Sequence, residues 1–118
     1  MNIDEIARQL QDFADARDWN QFHTPKNVAM ALSVEASELM ELFQWSNTGG
    51  TEEAVKNNEP DPAVVKEVAD VMIYLIRFCD ITGIDLEEAV LSKIRENSEK
   101  YPVKLAKGNA IKYNRREQ

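Results

Sequence analysis

The sequence predicts an all-α fold, a four-helix bundle assembled as a homo-oligomer, on three observations. Apolar residues recur at three- and four-residue steps in four separate segments. Each segment is framed by residues that start or stop helices. No run alternates in the manner of a strand, and no internal repeat is present.

The first segment places Ile3, Ile6, Leu10, Phe13 and Ala14 on one face, which predicts a helix over roughly 3–17. DWNQFHTPKN follows as a loop. Thr24 is a good N-cap and Pro25 suits the first helical position, so a second helix begins there. Its body is NVAMALSVEASELMELFQW, with Val28, Leu32, Leu39, Leu42 and Phe43 within an arc of roughly 100°, and it is expected to run to Trp45. SNTGGTEEAVKNNEP is a polar loop around Gly49 and Gly50.

Asp61 and Pro62 open the third helix, and Gly83 closes it. Val64, Val65, Val68, Val71, Met72, Leu75, Ile76, Phe78 and Cys79 cover most of its circumference. Lys66, Glu67, Asp70, Tyr74 and Arg77 share a polar stripe of roughly 100°, and composition alone does not distinguish that stripe from a solvated face. A helix this apolar needs cover on most sides, more than one small bundle offers, which is the reason to expect a homo-oligomer. Asp85 caps a fourth helix, LEEAVLSKIRENSEKY, stopped by Pro102.

At 118 residues the natural count is one domain, 1–118, with a locally basic tail over about 103–118. The composition, 43% hydrophobic and 30% charged, is that of a soluble globular protein. There is no apolar run of about 18 residues, and Met1-Asn2-Ile3-Asp4 lacks a signal-peptide pattern, so neither a membrane span nor a leader is expected. Cys79 is the single cysteine and reads as a small core residue in a reducing, cytoplasmic protein. A net charge of −7 argues against nucleic-acid binding but allows a small anion held through a divalent cation.

The chemistry is carried by carboxylates. Glu35-x-x-Glu38 lies on the second helix and Glu67-x-x-Asp70 on the third. With 21 acidic residues in the chain, about four acidic pairs at this spacing arise by chance, so position has to decide. Glu35 intrudes on an apolar stripe, where an ionised carboxylate is costly unless paired or metal-bound. Glu67 and Asp70 lie on the polar stripe of the most apolar helix. If the stripes face each other, four carboxylates converge, and oxygen-only ligands select Mg²⁺, with Mn²⁺ as a substitute. A di-iron site is disfavoured because the only histidine, His23, lies outside both pairs. Lys93 and Asn97 lie one turn apart on the fourth helix, beside an inner stripe that includes Tyr101, where a lysine could reach a phosphate. Trp19, Phe22 and His23 crowd one loop: on composition they are plugs over a bundle end and a surface histidine, while as a set with Trp45 they suit a flat base in a stacking pocket.

RDWNQFHTPKN, VEASELMELFQW, KEVADVMIYL and SKIRENSEKYPVKLAKGNAIKY resemble the MazG-like, all-α nucleoside triphosphate pyrophosphatases, most of all their dCTP pyrophosphatase branch. The resemblance runs from about Ile6 to Tyr113. It implies hydrolysis of a nucleoside triphosphate between the α and β phosphates, giving a monophosphate and pyrophosphate. It places Mg²⁺ on Glu35, Glu38, Glu67 and Asp70, the base among Trp19, His23, Trp45 and Tyr74, and the triphosphate and sugar near Lys93, Asn97 and Tyr101. It implies a homodimer or a dimer-of-dimers tetramer with a shared site. Two departures stand out. Val34 replaces a glutamate that in many relatives activates water, leaving Glu41 or a metal-bound hydroxide for that task, and Leu10 stands where eukaryotic dCTP-type relatives carry histidine. A non-catalytic interaction module is the rival reading, as is a same-fold hydrolase of another nucleotide anhydride; Glu35 argues against the first, since a docking bundle has no use for a carboxylate in its core stripe.

Overall fold

Cap chemistry sets the helix boundaries. The structure, a computed structural model, describes residues 1–45, 57–106 and 108. Helix α1 spans Ile3–Ala16, and the Asn2 side chain accepts the Glu5 N–H at 3.0 Å. Asp18, at φ 54°, turns the chain after α1, and the Trp19 N–H returns to the Ala14 carbonyl at 2.9 Å. The loop expected next contains a 3₁₀ turn over Asn20–Phe22. Helix α2 spans Pro25–Glu41, and Thr24 accepts the Asn27 N–H at 3.2 Å.

The expected end of α2 at Trp45 is corrected. After Glu41 the N–H groups of Leu42, Phe43 and Gln44 bond three residues back, to Leu39, Met40 and Glu41. The chain tightens into turns there, although Leu42 and Phe43 continue the apolar period that made the helix look longer. Of the polar loop that follows, residues 46–56 lie outside the described residues.

Helix α3 spans Pro62–Thr82, capped by Asp61 at its start and by Gly83, at φ 77°, at its end. Helix α4 spans Leu86–Lys100, capped by Asp85 and ended before Pro102. A short helix α5, Val103–Ala106, forms at the start of the basic tail, where Val, Lys, Leu and Ala in sequence permit a helical turn once Pro102 is passed.

The chain divides into two compact units, Met1–Ile84 and Asp85–Gln118. In the first, α2 packs along α3 and α1 packs against α3. Ala14, Val28, Ile76 and Cys79 are its buried apolar residues among those described, and burial pushes the Cys79 thiol pKa up. Helix α3 buries most of its polar stripe: Arg77 is 3% exposed, and Glu67, Asp70 and Tyr74 are half-buried, while Lys66 is exposed. Its apolar Val65 and Val68 are instead about half-exposed, at 52% and 51%.

Candidate metal and nucleotide site

The packing of α2 on α3 brings the acidic pairs together. One carboxylate oxygen each from Glu35, Glu38 and Glu67 lies within 4.8 Å of the others. Glu35 and Glu38 share a face because they stand three residues apart on α2, and Glu67 meets them from α3. Oε2 of Glu35 and Oε2 of Glu67 are buried with no hydrogen-bond partner among the described residues. Such atoms are costly to leave unsatisfied. The Glu67 carboxyl beside it, burial, and the charges of Glu67 and Asp70 hold the Glu35 pKa above the ordinary carboxylate range, against an opposing contact with Glu38. Glu38 is pushed up chiefly by Glu35, with Glu41 adding to the repulsion. Three carboxyl groups, two of them with an orphaned oxygen and none bonded to a lysine or arginine among the described residues, fit a hard divalent cation. Asp70 falls outside the three-way cluster but is close enough for its charge to act on Glu35.

The corner between α1 and α2 gathers aromatic residues that the sequence singled out. Trp19 packs edge-on against Phe13, ring centroids 5.6 Å apart, and against His23 at 6.3 Å. Arg17 stacks over the other end of the row, 3.6 Å from the Phe13 centroid. Trp19 keeps 44% of its surface exposed, so one part of the indole is available to a ligand.

His23 is not the lone surface histidine that composition suggests. It is half-buried, and its Nδ1 accepts the Arg77 Nε–H at 3.0 Å. Arg77 also donates to Gln11 Oε1 at 2.6 Å and to Asn20 Oδ1 at 2.9 Å. Asn20 and Gln11 in turn donate to Asp15 Oδ1, at 2.6 and 2.8 Å. A buried guanidinium is thus balanced by a carboxylate through two amides, with Asp80 at 3.7 Å as a further counter-charge. The bonds from Asn20 and Gln11 hold the Asp15 pKa down, while burial and the Arg77 charge hold the His23 pKa down. Sequence reasoning placed Arg77 on the polar stripe and missed this network. Its partners lie 54 to 66 residues away along the chain, and no local spacing encodes them.

Trp45 follows the turns after α2, is 90% exposed, and has no ring contact among the described residues. Tyr74 is half-buried on α3, one turn beyond Asp70. Glu41 is exposed at the last residue of α2. Lys93 and Asn97 are exposed on α4, in the second unit, and Lys93 pairs with Glu96 at 3.3 Å. The Tyr101 N–H caps α4 on the Asn97 carbonyl at 2.8 Å.

Among the described residues the chain is a helical protein with a carboxylate cluster on two packed helices, of a composition that could hold a metal ion, and an aromatic corner in the same unit. The MazG-like family model matches residues 30–115, and the chain belongs to that family. It is 40% identical over 111 residues to dCTP pyrophosphatase 1 of Rattus norvegicus and 43% identical over 120 residues to that of Mus musculus. Each match covers 94% of this chain and 65% of the relative, so the chain spans about two thirds of the length of these curated relatives. The crystal structure of a pyrophosphatase from Archaeoglobus fulgidus is similar at a TM-score of 0.73 and 36% identity, covering 86% of this chain and 94% of that one.

Proposed function

We propose that this chain is a Mg²⁺-dependent nucleoside triphosphate pyrophosphohydrolase acting on dCTP or a modified dCTP. Water adds at the α-phosphorus, the bond to the bridging α–β oxygen breaks, and the products are the nucleoside monophosphate and pyrophosphate. The carboxylate cluster, with its two orphaned oxygens, carries this reading, and the names of the similar proteins agree with it. Glu35, Glu38 and Glu67 would hold the cation, with Asp70 beside them. When bound, Mg²⁺ neutralises phosphate charge and polarises the phosphoryl group.

Around it, the chain's own residues position the substrate. Trp19 and Trp45 offer faces for the base, His23 a hydrogen bond to its edge, and Tyr74 a wall on α3. Glu41, outside the cluster and unpaired among the described residues, is the carboxylate we assign to the proton of the attacking water. Lys93, Asn97 and Tyr101 are proposed for the triphosphate and sugar. Half-exposed Val65 and Val68 support a homodimer or dimer-of-dimers tetramer. The single cysteine, buried on α3, supports a cytoplasmic setting. An interaction module is disfavoured, since partner docking gives no reason to bury unpartnered carboxylate oxygens.

The test is a panel of dNTPs and NTPs with Mg²⁺, scored for pyrophosphate against orthophosphate. Pyrophosphate release fastest from dCTP or a cytosine-modified analogue is expected. Orthophosphate as the first product, or no turnover of any nucleotide, overturns the reading.

A further inference from the structure

We propose that Arg77 is a positioning residue that fixes the His23 imidazole in its Nε2–H form, so that the aromatic corner presents the nucleobase with a hydrogen-bond donor. The base-pocket reading of the previous section is assumed; the state of the ring itself is not.

The geometry is directional. An arginine side chain has donors and no acceptor, and it does not deprotonate in proteins. The Arg77 Nε–H points at His23 Nδ1 at 3.0 Å, so that nitrogen has to accept and cannot carry a proton. In a neutral imidazole the proton then sits on Nε2. Nε2 has no hydrogen-bond partner among the described residues, while His23 remains partly exposed, so the donor is available.

Arg77 cannot readily turn away. It is 3% exposed, and its two other nitrogens are held by Gln11 from α1 and Asn20 from the corner. Those amides are themselves oriented by Asp15, since each gives an N–H to its carboxylate and so turns a carbonyl oxygen toward the guanidinium. The charged groups of this network are Arg77 and Asp80 from α3 and Asp15 from α1. Arg77 bonds the ring directly; Asp15 reaches it only through Asn20 and Gln11. The positive charge beside Nδ1 therefore opposes a second proton on the ring, in keeping with the lowered His23 pKa.

The consequence is a chemical preference. A ring held as an Nε2–H donor recognises a base edge that offers an acceptor, such as the O2 or N3 of a cytosine, and not its exocyclic amine.

His23 is the only histidine in the chain, so its ring nitrogens can be assigned in ¹⁵N-labelled protein without ambiguity. In the wild type at neutral pH, two-bond ¹H–¹⁵N correlations should show Nε2 protonated and Nδ1 bare. Adding Mg²⁺ and a non-hydrolysable α,β-imido dCTP should shift the Nε2 resonance. Arg77→Met, which removes the donor, should give a mixture of tautomers and raise KM for dCTP about five- to tenfold, with kcat changed less than about twofold. A protonated Nδ1 or an averaged ring in the wild type overturns the inference, and that reading needs no variant to fold. So does a silent Nε2 on addition of the analogue, or a wild-type KM in a variant whose tautomers are mixed. Failure of the pyrophosphatase reading looks different: no nucleotide yields pyrophosphate, while the wild-type ring is still read directly.

Discussion

Glu35 carries an electrostatic cost within the carboxylate cluster of the first unit. Its carboxyl is held above its ordinary value of 4.5 by Glu67, burial and neighbouring charge, so the fold favours its protonated form. That contribution to stability is complete below the unfolded value and is lost as pH rises through the higher folded one. In chelator, thermal melts should therefore show a lower Tm at neutral than at mildly acid pH, and Mg²⁺ or Mn²⁺ should restore it. Glu35→Gln should flatten this dependence and abolish turnover; a chelated wild type with the same Tm throughout that range would contradict the account. Glu38→Gln and Asp70→Asn should each remove most activity, measured as pyrophosphate release, and full turnover in both would remove them from the site.

At the scale of the helices, the caps do more than mark boundaries. Asp61 fixes where α3 begins, and so the height at which Glu67 meets α2, by accepting the Ala63 N–H at 2.9 Å. Asp61→Ala should lower stability by about 1 kcal/mol, read as a shift in the urea midpoint at constant slope. An unchanged midpoint would mean that the cap is idle. These boundaries were legible in the sequence because capping is local: Asn2, Thr24, Asp61 and Asp85 each bond within three residues. The end of α2 was not legible, because apolar Leu42 and Phe43 keep the helical period while the backbone changes its hydrogen bonding. The facing of the two acidic pairs could be anticipated from Glu35, a charge in an apolar arc. Arg77 could not, since a polar stripe on a wheel looks the same whether it meets water or the amides of another helix.

For the molecule as a whole, charge and apolar surface pull in different directions. A net charge of −7 favours separate chains in solution, while the exposed Met30, Val34, Val65 and Val68 favour association. Val68→Asp tests which wins. Because Val68 is half-exposed in the single chain, the variant should stay folded by circular dichroism and sediment as a smaller species than wild type. A wild type that sediments as a monomer at micromolar concentration would remove the case for a shared site. Among the described residues, no helix is long and apolar enough to cross a membrane.

The unequal exposure of the two tryptophans gives the protein an optical signal of its own. Trp45 is 90% exposed and Trp19 44%, so emission from the free chain should be dominated by a water-surrounded, red-shifted indole. Stacking a base on Trp45 would strip that water and quench the ring, so Mg²⁺ with a dCTP analogue should dim the fluorescence and move it to shorter wavelength. Trp45→Ala should lose most of this response and raise KM for dCTP about ten- to a hundredfold, while Mg²⁺ alone still raises Tm as it does in the wild type. A response that survives intact in Trp45→Ala would assign the base to Trp19 alone. Either spectrum can be recorded on unlabelled protein, so ligand screening needs no coupled assay.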